Sequence, residues 1–149
     1  MNELDQLYQQ IIIEHSKSRN GYSEIPSNYL VSHQVNPSCG DELQMGCAIK
    51  NGVITDLPWQ GQGCSISQAS ISIMHDLVLN KTVEHAEKLY NDFMLLMHSK
   101  GASVEDSVLD NLGDGQALQG VCLYPARIKC ALLGWMALHD LLLKVSDEK

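Results

Sequence analysis

The 149 residues carry ten basic against eighteen acidic side chains, a formal charge of -8, and 44% of them are hydrophobic. That charge repels a phosphate backbone, and no apolar run approaches the roughly 20 residues that span a bilayer, so neither nucleic acid nor a membrane is an expected partner. The length suits one core, so residues 1–149 are expected to form a single domain, and the acidic start Met1-Asn2-Glu3-Leu4-Asp5 lacks the basic stretch of a secretory signal, which points to the cytoplasm.

Leu4, Leu7, Tyr8, Ile11, Ile12 and His15 recur at helical spacing and predict an amphipathic N-terminal helix over Glu3–Ser16 that packs by one stripe. Tyr29 to Val35 reads as a strand delivering the loop that holds Cys39. From Glu42 to Lys50, Leu43, Met45, Cys47 and Ile49 alternate as in a half-buried strand, and Val53 to Trp59 continues as its hairpin partner. A two-residue Asn51-Gly52 turn would set the two apolar sets on opposite faces. A three-residue loop Lys50-Asn51-Gly52 with Gly52 left-handed is therefore expected, pairing Ile49 with Val53, Cys47 with Thr55, Met45 with Leu57 and Leu43 with Trp59.

After Gly61-Gln62-Gly63-Cys64 a helix opens with Ser65 and Gln68 in capping-box spacing and Ile66, Ala69, Ile73 and Leu77 inward. Asn80 ends it, and Thr82 caps a further helix striped by Ala86, Leu89, Tyr90, Phe93 and Met97 and stopped at Gly101. Ser103 to Asn111 reads as a short helix before a Gly113-Asp114-Gly115 turn. Pro125 starts the last helix, with Ile128, Ala131, Leu132, Trp135, Leu138 and Leu142 inward and Cys130 off that stripe. No internal repeat or linker interrupts the chain. The expected fold is α+β: a small antiparallel three-stranded sheet with helices packed on one face.

Five cysteines in a reducing compartment read as ligands, nucleophiles or core fillers rather than as disulfides. Cys47 and Cys122 sit in apolar surroundings and are assigned to the core. Cys39-Gly40-Asp41 aims a thiol and a carboxylate from one glycine-hinged loop, and Cys64 stands at a helix N-terminus, where partial positive charge favours the thiolate. Cys130 is presented from a helix beside Arg127 and Lys129, cations able to lower its pKa or hold a sulfur anion. Three thiolates and one carboxylate make a ligand set that fits zinc, or an iron-sulfur cluster with a carboxylate ligand. His33 is the histidine nearest that loop; the others are read as structural.

Asn36-Pro37-Ser38-Cys39-Gly40-Asp41, Gly61-Gln62-Gly63-Cys64-Ser65-Ile66-Ser67-Gln68-Ala69-Ser70 and Tyr124-Pro125-Ala126-Arg127-Ile128-Lys129-Cys130-Ala131 together resemble the IscU-like iron-sulfur assembly family of the NifU N-terminal type. Within it they look like the SufU branch. The resemblance implies an α+β domain on which Cys39, Asp41, Cys64 and Cys130 surround one zinc or cluster site. Lys129 stands where IscU proteins carry a histidine, no proline-rich chaperone-recognition segment follows Gly113, and the stretch from Ser99 to Gly120 looks like the SufU insertion.

The branch implies a zinc-bound sulfur acceptor that takes persulfide sulfur from a pyridoxal-phosphate cysteine desulfurase of the SufS type and passes it toward downstream scaffold proteins. Cys39 is the acceptor of choice, because a ligand on a hinged loop leaves a metal more easily than one on helical backbone. The rival readings are a scaffold for a [2Fe-2S] cluster on the same residues, a cysteine hydrolase built on Cys64 with a histidine base, and an interaction module whose zinc is structural.

Overall fold

The computed structural model describes residues 2–147. In chain order they form helix α1 (Glu3–Ser18), strands β1 (Leu30–Asn36), β2 (Asp41–Lys50), β3 (Val53–Asp56) and β4 (Trp59–Gln62), and helices α2 (Ser65–Val78), α3 (Val83–Met97) and α4 (Asp106–Leu112). A 3-10 segment (Gly113–Leu123) and helix α5 (Pro125–Asp147) complete the order. This is the α+β class expected, with the helix in front.

Among the described residues the sheet has four strands rather than three. β2 is central: β1 runs antiparallel along one edge from Leu30↔Cys47 to Asn36↔Asp41, and β3 and β4 share the other. The segment expected as one strand divides at Leu57-Pro58, since proline has no N–H for the ladder. Its carbonyl instead accepts the Gly46 N–H at 2.9 Å.

The β2–β3 turn is also corrected. Lys50 faces Val53, and Asn51 and Gly52 have φ of 54° and 77°, so the hairpin closes through two left-handed residues. The conflict of faces that argued against this turn is removed by a register shift between Ala48 and Ile49: Ala48 faces Asp56 and Ile49 faces Ile54, leaving Thr55 as the extra residue. The Thr55 hydroxyl donates to the Ala48 carbonyl at 3.1 Å. Beyond the bulge Met45 faces Trp59 and Leu43 faces Gly61, in place of the expected Leu57 and Trp59. Cys47 is in the core as expected.

α1 packs less than its stripe suggested. Leu4 and Leu7 are 52% and 54% exposed, and only Ile11 and Ile12 of the apolar stripe lean on the core. The helix is tied down at its far end, where His15 Nδ1 lies 2.8 Å from Ser72 Oγ and Nε2 lies 3.1 Å from Asp114 Oδ2.

α2 is buried well beyond the predicted stripe, with Ser67, Ser70 and Ser72 closed off from solvent. Small residues let it thread between α1 and α5. The Ser70 hydroxyl donates to the Ala131 carbonyl at 2.6 Å, and Gly134 of α5 leaves room for Ile71, whose Cγ1 a Cβ at 134 would meet at 2.6 Å. Thr82 caps α3 as expected, accepting the His85 N–H at 3.1 Å. Phe93 stacks on Trp135 at 4.7 Å and Tyr90 on His139 at 4.3 Å. The turn expected after α4 is the start of the 3-10 segment, which buries Leu118 and Val121. α5 lies against β1 and β2, and this placement brings Cys130 to the β1–β2 loop.

Candidate metal centre

Three loop ends and one helix meet at the site. β1 and β2 close their last pair at Asn36↔Asp41, and the Cys39 N–H donates to the Asn36 carbonyl at 3.2 Å. Gly40 takes φ +70°, a left-handed turn that costs glycine little, and Cys39 is left exposed at the loop tip.

Asp41 is fully buried. Its Oδ1 accepts the Cys64 N–H at 2.9 Å and the Ser67 hydroxyl at 3.3 Å. The expected Ser65–Gln68 capping box does not form. The N-cap of α2 is Cys64, whose side chain makes no capping bond, and the cap comes from a strand carboxylate placed at the positive end of the helix. Gln68 instead accepts the Arg19 Nε–H at 3.0 Å. Gly63 makes room for this: a Cβ there would overlap the Asp41 carboxylate and approach Ser67 Oγ to 2.6 Å.

Asp41 Oδ2 is buried with no hydrogen-bond partner among the described residues. The Asp41 carboxylate stands beside two thiols: one donor atom each from Cys39, Asp41 and Cys130 lies within 4.8 Å of the other two. The Cys130 thiol, on a residue 2% exposed, donates to the Cys39 sulfur at 3.0 Å. Burial pushes the Cys130 thiol well above its usual range, and the neighbouring Cys39, Asp41 and Cys64 side chains push the same way. Cys64 thus borders the trio without belonging to it. A buried carboxylate oxygen without a donor is costly unless a cation or proton faces it, and two sulfurs beside it make a donor set suited to zinc.

Other predicted residues stand apart. Arg127 and Lys129 are exposed, and the Arg127 guanidinium lies 5.8 Å from the Tyr124 ring. His33 is exposed on β1 and pairs with Glu42 at 2.8 Å. Cys122 is buried, its thiol donating to the Gln119 carbonyl at 2.8 Å. Two polar residues inside the quoted motifs were given no role by the sequence: Ser67 on the Asp41 carboxylate, and Asn36, whose Nδ2 donates to Cys130 Sγ at 3.6 Å. Spacing along the chain does not link positions 36 and 130.

The NifU-like N-terminal domain family matches residues 7–131. The zinc-dependent sulfurtransferase SufU of Bacillus subtilis is 38% identical over 91% of this chain and 89% of its own length. The iron-sulfur cluster assembly scaffold protein IscU of Streptococcus pyogenes serotype M1 is 32% identical over 94% and 85%. Among solved structures, FiSufU of Fervidobacterium islandicum AW-1, described as a candidate iron-sulfur cluster assembly scaffold for the SUF system, superposes with a TM-score of 0.76 at 29% identity, covering 89% of this chain and 94% of that one. With its thiols, carboxylate and sheet so arranged, the chain belongs to the NifU-like N-terminal domain family.

Proposed function

We propose that the protein serves iron-sulfur cluster assembly as a zinc-bound sulfur acceptor, working with a SufS-type cysteine desulfurase and handing sulfur to downstream scaffold proteins. The observation that carries this reading is the cluster of the Cys39 and Cys130 sulfurs with the buried Asp41 carboxylate, one of whose oxygens, Oδ2, has no hydrogen-bond partner among the described residues. The name of the Bacillus relative supports it. Cys39, Asp41, Cys64 and Cys130 would hold the ion. When bound, it supplies charge that keeps the thiols deprotonated at neutral pH.

The chain's own part is presentation and attack. Cys39 is exposed on the loop tip while Cys64 is half-buried and Cys130 buried, so Cys39 is the sulfur of the three most open to a partner. Its thiolate attacks the terminal sulfur of the partner's persulfide. A Cys39 S–S bond forms, the partner's S–S bond breaks, and the electron pair leaves on the partner's cysteine thiolate. Cys39 then carries the persulfide. This chemistry belongs in the cytoplasm, where thiols stay reduced; no helix among the described residues is long and apolar enough to cross a membrane.

Replacing Cys39 by alanine tests the assignment. Stimulation of the desulfurase should vanish while the circular dichroism spectrum stays the same, and unchanged stimulation removes Cys39 from the role. The IscU relative favours a second reading, assembly of a [2Fe-2S] cluster on the same residues. Metal analysis after anaerobic purification separates the two: stoichiometric zinc without visible charge-transfer bands supports sulfur transfer. A cysteine hydrolase would need a histidine base at Cys64, and His33 is engaged with Glu42.

A further inference from the structure

Asn36 ties together the elements that carry the thiols and carboxylate. It ends β1 as the cross-strand partner of Asp41, its carbonyl accepts the Cys39 N–H at 3.2 Å, and its side-chain Nδ2 donates to Cys130 Sγ at 3.6 Å across 94 residues of chain. The residue is 6% exposed, so this bond competes little with water. Cys130 has few other anchors. Its sulfur also donates to the Cys39 sulfur at 3.0 Å and lies 3.6 Å from the Ala126 carbonyl one helical turn back, which accepts and cannot donate.

Cys130 Sγ must accept to sit as a sulfur ligand. An anionic sulfur in a closed pocket needs donors, and outer residues that donate to ligands orient them and tune the metal. From this geometry we infer that Asn36 is a positioning residue: its amide holds the Cys130 sulfur toward Cys39 and Asp41 and supplies the hydrogen bond that its thiolate form needs. The inference rests on the metal-site reading above. The role belongs to the amide donor and is separable from the backbone turn that the same residue closes.

The test is metal binding by the full chain, titrated with zinc against a chromophoric chelator and with cobalt to read the sulfur-to-metal charge-transfer band. The variants are Asn36→Ala, Asn36→Asp and Cys130→Ser. Asn36→Asp keeps size and a turn-forming side chain but replaces the donor with a carboxylate. Zinc affinity should fall about 10–100-fold in both Asn36 variants, the loss typical of an outer-shell donor, and the cobalt band should shift, a change that loosened packing alone would not produce.

Circular dichroism of the metal-free proteins checks that the turn survives, and Asn36→Asp carries the test if Asn36→Ala does not fold. Affinity and band both unchanged in Asn36→Asp, while Cys130→Ser loses binding, overturns the role of Asn36 and leaves the site standing. Unchanged binding in Cys130→Ser, or no binding by the parent, overturns the site and this inference together.

Discussion

Asp41 divides its two oxygens between different tasks. Oδ1 caps α2 through the Cys64 N–H and the Ser67 hydroxyl, and Oδ2 has no hydrogen-bond partner among the described residues, in a carboxylate that lies beside the thiols. Substitution separates the two roles. An Asp41→Asn variant keeps an acceptor for the helix N-terminus but removes the anion, so zinc affinity should fall by at least about tenfold, while the metal-free protein melts no lower than the parent. Competition titration and thermal melts in chelator read the two effects apart. An unchanged affinity counts against Asp41 as a ligand. The tripeptide Cys39-Gly40-Asp41 was legible as a ligand-bearing turn because its cysteine and aspartate both carry metal-binding groups. The capping role was not, because it depends on a helix 24 residues further along the chain meeting the end of a strand.

At the scale of elements, the junction of β4 and α2 decides how close the two ends of the site approach. Gly61 lets β4 close on the Glu42 carbonyl, and Gly63 lets the Asp41 carboxylate reach the first turn of α2. A methyl at 63 has no free space and must displace the carboxylate or Ser67. Gly63→Ala should therefore cost about 1–3 kcal/mol in urea unfolding, the usual cost of overpacking, whereas the exposed neighbour Gln62→Ala should stay within about 0.5 kcal/mol. Equal effects at the two positions would show that the close approach is relaxed elsewhere. The glycine-rich run announced a turn, but which atoms it had to admit is a property of the folded pair.

For the molecule as a whole, the hydrophobic cluster draws on both strands and helices and includes none of the proposed metal ligands: Leu43, Trp59, Ile71, Phe93 and Trp135 are all buried within it. Removing the metal should then leave the fold in place. Far-UV circular dichroism should be nearly unchanged by chelation, with the melting temperature lowered only by the lost binding energy; collapse of the helical signal would instead mark a structural zinc module. Helices α2, α3 and α5 were readable in advance because their apolar spacing, the Thr82 cap of α3 and the first-turn proline of α5 are local, and the motif cysteines because their thiols are chemically conspicuous. Tertiary structure alone decided the two-residue turn with its bulge at Thr55, the fourth strand, the solvent-facing start of α1, and the meeting of Asn36, Cys39, Asp41 and Cys130. Periodicity reports which face of an element is apolar. Register and convergence depend instead on cross-chain hydrogen bonds and on how closely backbones can approach, and those terms exist only once the chain has folded.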